Sequence, residues 1–188
     1  LFCLAAAAWC VLVIADLPSG DRRKAPPLWL AAGALFGLAA LAKYYAVLMG
    51  LGVALFALTS ARHRGWFAQP WPYLALAIAL LFFAPTIIWN VHNGWISFAF
   101  QGERAFGEGF SVLSFLDTVV GQAAITGPWI WLPLVYAAWR EVRRTPRSTP
   151  RWLFFCLALP PIGIFTIMGF WVPADGHFHW QAPGYLLL

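Results

Sequence analysis

The chain has 188 residues, of which 62% are apolar and only 10% are charged. Soluble domains carry nearer a quarter charged residues, so this composition excludes an ordinary soluble protein and indicates a polytopic membrane protein. The net charge of +5 does not indicate a nucleic-acid-binding protein. The basic residues fall in short loops between apolar segments, a pattern that is typical of membrane orientation.

Apolar segments in chain order predict the membrane spans. Pro26 and Pro27 open a helix, because proline is tolerated in a first turn; Pro85 predicts a kink, and Gly127-Pro128 interrupts a later span. Since the chain begins and ends inside apolar segments, we expect an internal fragment, with residues 1–188 forming part of one transmembrane domain. The predicted spans are 1–15, 28–42, 46–58, 71–89, 112–139, 152–171 and 182–188.

The apolar run 28–58 contains one charge, Lys43, which costs a few kcal/mol or more at the centre of a membrane. As one helix the run would be about 46 Å long, against a hydrocarbon core of about 30 Å. A single crossing would put the basic loops 16–27 and 59–70 on opposite faces, against the positive-inside tendency. We therefore predict a short re-entrant-like helix pair, with Lys43 at its tip and both loops on one face.

This topology collects polar residues on the face opposite the basic loops. Ten of the twelve Lys and Arg residues lie in three basic loops, 16–27, 59–70 and 140–151, and the two others, Lys43 and Arg104, fall on the far face. Arginine grips phosphate bidentately and lysine adds a point charge, so the pair suits an anionic head group whose tail lies in lipid. The possible cavity-lining residues beside them are Tyr44, Tyr45, His92, Glu103, Asp175, His177 and His179.

Each of these residues also has a purely structural interpretation. Lys43 can snorkel to the interface from a helix end, and Arg104 can pair with Glu103 or another acid in a solvated loop. His177 and His179 have no carboxylate or thiol partner at ligand spacing, so we predict no metal site. The cysteines lie inside apolar segments and show neither metal-ligand spacing nor a disulfide framework.

The order of three motifs resembles a known family. GLAALAKYYAVLMGLGVALFAL, then PTIIWNVHNGWISFAFQ, then HWQAPGYLLL are similar to bacterial membrane glycosyltransferases of family 39, which include protein O-mannosyltransferase-like enzymes and aminoarabinose transferases that modify lipid A. The resemblance implies an all-α polytopic bundle of the C-type glycosyltransferase kind in the bacterial inner membrane. It also implies inverting transfer of a sugar from a polyprenyl-phosphate donor to a periplasmic-side acceptor, which is a lipid, a glycan or a protein.

The resemblance also implies roles for individual residues. Lys43 occupies the position of the lysine that lines the family's active-site cavity, and Arg104 looks like the arginine that contacts the donor phosphate. The family's catalytic acid lies in an earlier periplasmic loop, so we expect it upstream of this fragment and assign no catalytic residue. The implied partners are membrane lipid and the lipid-linked donor, with no separate cofactor.

Two other classes remain open at this point. A transporter or flippase for a lipid-linked substrate also uses broken helices and charges at membrane depth. A structural membrane subunit would use Lys43 and Arg104 only to anchor helices.

Overall fold

The computed structural model describes residues 1–44, 46–106, 109–145, 147–171 and 182–185. These residues form helices, turns and loops with no strand among them, which confirms the all-α prediction. The helices in chain order are α1 (Phe2–Asp16), α2 (Ala25–Ala42), α3 (Ala46–Thr59), α4 (Pro70–His92), α5 (Ile96–Phe106), α6 (Val112–Thr126), α7 (Pro128–Val142), α8 (Pro150–Met168) and α9 (Ala182–Tyr185).

Within the described residues, α2, α4 and α8 are long and apolar enough to cross a membrane. The helix α2 begins three residues earlier than the predicted span 28–42, because Pro26 and Pro27 lie inside its first turn. The helix α4 runs past the predicted end at residue 89 to His92. A further helix, α5, lies in the polar and aromatic stretch that follows.

The predicted span 112–139 is two helices. The helices α6 and α7 are bent by 113° at Gly127, so together they form a broken span or a re-entrant loop. Gly127 has φ +85°, which is a left-handed conformation that glycine adopts without steric cost. Pro128 then starts α7, where its missing N–H leaves no lost hydrogen bond.

The chain divides into two compact units. Unit 1 consists of Leu1–Ile88 and Thr145–Leu157 and contains α1, α2, α3, all but the last turn of α4 and the first part of α8. Unit 2 consists of the described residues of Trp89–Arg144 and Ala158–Leu188. The predicted donor-phosphate lysine, Lys43, belongs to unit 1, and the predicted arginine, Arg104, belongs to unit 2.

In unit 1, α2 and α3 form the predicted helix pair. Trp29 near the start of α2 and Phe56 near the end of α3 both contact the Trp66 ring, with centroid distances of 5.0 and 5.7 Å. A continuous helix would separate positions 29 and 56 by about 40 Å. The chain therefore reverses direction between α2 and α3, which confirms the predicted helix pair, and the way the pair enters the membrane stays a prediction.

The two basic loops of unit 1 lie at the same end of that unit. His63, in the loop after α3, places Nε2 3.0 Å from the carbonyl oxygen of Ala15 at the end of α1. Ser60 is buried and lies 2.7 Å from the other ring nitrogen of His63. This contact brings loop 59–70 to the end of α1, where loop 16–27 begins, so the two basic loops lie at one end of the unit, as the charge distribution predicted.

Close helix packing in unit 1 depends on small residues. A Cβ at Gly37 of α2 would lie 2.6 Å from the Cβ of Phe82 on α4, and one at Gly52 of α3 would lie 2.6 Å from the Cα of Leu157 on α8. Since apolar side chains gain little by leaving lipid for a protein interior, close backbone approach of this kind is how membrane helices associate. The pair α2–α3 is thus packed against α4 on one side and against α8 on the other.

Unit 2 contains a chain of side-chain hydrogen bonds between its helices. The indole N–H of Trp131 donates to the hydroxyl of Tyr185 at 3.1 Å, and that hydroxyl donates to the side-chain carbonyl of Gln122. The amide nitrogen of Gln122 donates to the hydroxyl of Thr166 at 3.3 Å. The network therefore joins α6, α7, α8 and α9 around Gln122, which is only 2% exposed.

Candidate functional site

Lys43 lies at the turn of the α2–α3 pair. Its backbone is extended (φ −153°, ψ 119°), and its N–H donates the last hydrogen bond of α2, to the carbonyl oxygen of Ala39 at 2.9 Å. The N–H of Ala46, the first residue of α3, donates to the carbonyl oxygen of Lys43 at 3.0 Å. The side chain is exposed, so the charge has left the apolar helix interiors, as predicted.

Tyr44 packs beside this turn. Its ring meets Phe83 of α4 edge to face, with a centroid distance of 6.0 Å. The side chain is half-buried, so Tyr44 holds the tip of the helix pair against α4. Tyr45, the other tyrosine that the sequence placed in the cavity, lies outside the described residues.

An apolar groove lies between the α2–α3 pair and α4. Its volume is about 290 Å³. The groove extends from Trp29 and Trp66, at the basic-loop end of unit 1, to the last turn of α2 and the first turn of α3, on either side of Lys43. Lining residues from the three helices include Gly33, Phe36, Ala40, Ala46, Val53, Leu76, Ala79 and Phe83.

The remaining predicted residues lie in unit 2 or outside the described part of the chain. His92 ends α4 and Glu103 lies on α5, and both side chains are exposed. Arg104 is also on α5, but its side chain is outside the described residues, as are Asp175, His177 and His179. Lys43 and Tyr44 lie next to each other on the turn of the α2–α3 pair in unit 1. A contact between Lys43 and Arg104 stays a prediction.

The Trp-Asn…His-Asn-Gly-Trp motif forms the turn between α4 and α5. Asn90 is fully buried, its backbone carbonyl accepts from the N–H of Trp95 at 2.7 Å, and its Oδ1 accepts from the N–H of Ser97 at 3.2 Å. Gly94 and Trp95 have positive φ values of 63° and 60°. Asn90 therefore fixes the direction in which α5, and Arg104 on it, leaves α4.

Asn90 and Gln122 are residues that the sequence analysis did not single out. Both are polar and lie within or beside apolar segments, where an unpaired amide is costly. Because of this cost, each of the two amides needs a buried hydrogen-bond partner. That requirement was the signal by which the sequence could have identified both residues. The structure supplies those partners from α5 for Asn90 and from α8 and α9 for Gln122.

The described residues contain no group of three or more His, Cys, Asp or Glu that could hold a metal ion. The chemistry available at the tip of the helix pair is electrostatic: a primary ammonium group at one end of an apolar groove. Such a group donates hydrogen bonds to an anion and stabilises negative charge that develops on it.

Comparison with known proteins gives one family. Residues 1–89 match the model of the family described as Dolichyl-phosphate-mannose-protein mannosyltransferase. No curated protein and no solved structure matches the chain significantly. The matched segment includes α1, the α2–α3 pair with Lys43, and nearly all of α4. The first 89 residues of this polytopic membrane protein are therefore similar to the dolichyl-phosphate-mannose-protein mannosyltransferase family, which confirms the resemblance to glycosyltransferase family 39.

Proposed function

We propose that the protein transfers a sugar from a polyprenyl-phosphate-linked donor to an acceptor on the membrane face opposite the basic loops. The observation that carries this proposal is the match of residues 1–89 to a mannosyltransferase family. The geometry of unit 1 supports the donor class, because a polyprenyl phosphate combines a long apolar chain with a charged head. A bacterial inner membrane and a periplasmic active side are part of the proposal and rest on the resemblance.

The groove and Lys43 fit the two parts of such a donor. Along α2 the groove lining runs from Trp29 to Ala40, a distance of about 16 Å, which is roughly half the hydrocarbon thickness. An apolar chain in the groove ends at the turn where Lys43 lies. The phosphate would then meet the ammonium group where the chain leaves hydrocarbon.

In the proposed reaction Lys43 stabilises the leaving group. When the bond between the anomeric carbon and the phosphate oxygen breaks, negative charge grows on that oxygen, and a fixed cation beside it lowers the barrier. The acceptor oxygen attacks the anomeric carbon from the opposite side, which inverts the configuration. Arg104 is proposed as a second cation on the phosphate, and the general base is not assigned to any residue of this chain.

The test compares Lys43→Gln with Lys24→Gln in purified protein reconstituted into nanodiscs. Lys24 is a suitable control, because it is an exposed lysine on the basic loops that pairs with Asp21 at 2.9 Å. We expect Lys43→Gln to reduce the release of polyprenyl phosphate from polyprenyl-phosphate mannose by about 100-fold or more, and Lys24→Gln to have little effect. Binding of polyprenyl phosphate, followed by native mass spectrometry, should weaken in the same variant only. Unchanged binding and transfer in Lys43→Gln would refute the role of this lysine.

The bent pair α6–α7 favours a second candidate, a transporter for a lipid-linked substrate, since broken helices line substrate paths in that class. The same reconstituted protein separates the two functions. A transporter moves the lipid-linked sugar between leaflets and leaves its glycosidic bond intact, whereas a transferase releases polyprenyl phosphate.

A further inference from the structure

A second, polar pocket lies at the end of unit 1 that carries the basic loops. Its volume is about 180 Å³, and its lining includes Ala15, Ala25, Arg62, His63, Trp66 and Gln69. A cavity needs only about 10–15 Å³ to hold one water molecule, so this pocket has room for a group of several heavy atoms. Ala25 begins α2 and Lys43 follows its end, which separates the pocket from the Lys43 turn by about 27 Å.

The polar groups around this pocket differ in their availability. His63 is occupied, since one ring nitrogen contacts the hydroxyl of Ser60 and the other the carbonyl oxygen of Ala15. By contrast, within the described part of the chain no carboxylate pairs with Arg62 and no protein group hydrogen-bonds to the Gln69 side chain. Arg62 and Gln69 both line the pocket, and within the described residues neither side chain has a hydrogen-bond or ion-pair partner.

Two other basic residues of the two loops, Lys24 and Arg64, are already engaged. Lys24 pairs with Asp21 at 2.9 Å, and Nε of Arg64 donates to the carbonyl oxygen of Leu58 at 3.0 Å. Asp16 is the acid nearest to the pocket along the chain, and it is not among the lining residues. The pocket therefore has a net positive lining, and an anion is the ligand that complements it.

The position of the pocket favours an anion that belongs to a lipid. Ala15 lies in the last turn of α1 and Ala25 starts α2, so the pocket is at the ends of apolar helices, where the membrane interface is expected. Trp66 lines both this pocket and the apolar groove, and the neighbouring Phe67 is 41% exposed. A head group at Arg62 would thus have apolar surface beside it for an acyl chain.

We propose that this pocket binds the phosphate group of an anionic phospholipid on the basic-loop face. Arg62 supplies the charge and donates to the phosphate oxygens in a fork, and the amide N–H₂ of Gln69 donates to another oxygen. Any basic residue beside a membrane attracts anionic lipid. This site differs from such general attraction because it has a pocket and two donors, Arg62 and Gln69. The inference does not depend on sugar transfer, because it concerns the opposite end of unit 1 from Lys43.

The test titrates the delipidated protein with dihexanoyl-phosphatidylglycerol and follows bound lipid by native mass spectrometry. Dihexanoylglycerol, which lacks the phosphate, and inorganic phosphate are titrated in parallel. Arg62→Gln is compared with Arg23→Gln, which removes the same charge from an exposed position on the neighbouring loop. Gln69→Leu removes the second donor and keeps the charge.

We expect Arg62→Gln to weaken phosphatidylglycerol binding about tenfold or more and Gln69→Leu about fivefold. Arg23→Gln should weaken it less than about threefold, since Arg23 does not line the pocket and acts only through a charge screened by water and salt. Dihexanoylglycerol should not saturate the site. Equal losses in Arg62→Gln and Arg23→Gln, or no saturable binding, would overturn the proposal. Saturable binding of inorganic phosphate as tight as that of the lipid, with the same dependence on Arg62, would overturn the lipid assignment and make the pocket a site for free phosphate. If Arg62→Gln fails to fold, the Gln69→Leu result decides.

Discussion

His63 should make the stability of unit 1 depend on pH. It is 3% exposed and packs against the rings of Phe56 and Trp66, with centroid distances of 4.7 and 5.0 Å. A carbonyl oxygen only accepts hydrogen bonds, so Nε2 of His63 carries the proton that it donates to Ala15. Nδ1 is then free to accept from the hydroxyl of Ser60, and the neutral ring satisfies both partners.

Protonation of His63 would disturb this arrangement. Burial lowers the pKa of His63 below its usual value of 6.5 and Arg62 lowers it further, while the hydrogen bond to the Ala15 carbonyl raises it in part. The unfolded chain then takes up a proton at a higher pH than the folded protein does. The contribution of neutral His63 to the free energy of unfolding is fully present above about pH 6.5. It is lost as the pH falls from there through the lower pKa of His63 in the folded state.

The variant His63→Phe isolates this effect. It keeps an aromatic ring against Phe56 and Trp66. It leaves the carbonyl of Ala15 and the hydroxyl of Ser60 without the imidazole nitrogens that they contact. Each buried polar group that loses its partner costs about 1–3 kcal/mol. Two such losses amount to about 2–4 kcal/mol, allowing for partial rescue by water, which corresponds to a melting temperature lower by roughly 4–16 °C for a chain of this size.

The assay is thermal unfolding in detergent micelles, followed by circular dichroism between pH 5 and pH 8. The melting temperature of the native protein should fall as the pH drops below 6.5. The melting temperature of His63→Phe should be lower at pH 8 and should depend less on pH. His92→Phe is the matched control, because His92 is exposed. A pH dependence that survives in His63→Phe, or that disappears in His92→Phe, would refute the reasoning.

Two further substitutions test the packing and the turn. Gly37→Val should lower the melting temperature by the equivalent of about 1–3 kcal/mol, because its Cβ would lie 2.6 Å from a side-chain carbon of α4. Gly50→Val is the control, since a Cβ there meets nothing within 4 Å. Equal losses in the two variants would contradict the close approach of α2 and α4. Asn90→Ala should cost about 1–3 kcal/mol by thermal unfolding, because the buried amide is lost as an acceptor for Ser97. Asn93→Ala, on the exposed side of the same turn, should cost less than about 1 kcal/mol, and a larger loss there than at Asn90 would contradict the assignment.

Charge distribution predicted the topology of unit 1 well. The helix pair at Lys43 followed from the length of an apolar run and from the side on which two basic loops must lie. Both can be read from the sequence. The bilayer thickness sets the length of a spanning helix, and positively charged loops favour one side of the membrane. The contact of His63 with Ala15 confirms that the two loops lie together.

Side-chain partners could not be predicted in the same way. Gly127-Pro128 indicated an interruption, but the angle of 113° between α6 and α7 depends on what packs against each helix. Gln122 needed a partner somewhere in the bundle, and the sequence does not show that it is Tyr185, 63 positions further along. Both features depend on contacts between distant segments, which local patterns do not encode.

The small residues of α2 explain why unit 1 has a groove beside a tight contact. Gly33 and Gly37 bring the backbones of α2 and α4 together, while Ala40 leaves no bulky side chain to fill the space next to that contact. An empty apolar space of about 290 Å³ in a membrane protein forfeits the dispersion contacts that lipid chains would otherwise make. An apolar chain therefore gains contacts by entering the groove. The sequence that packs α2 on α4 thereby also creates a site for a lipid chain, and Lys43 lies at the end of it.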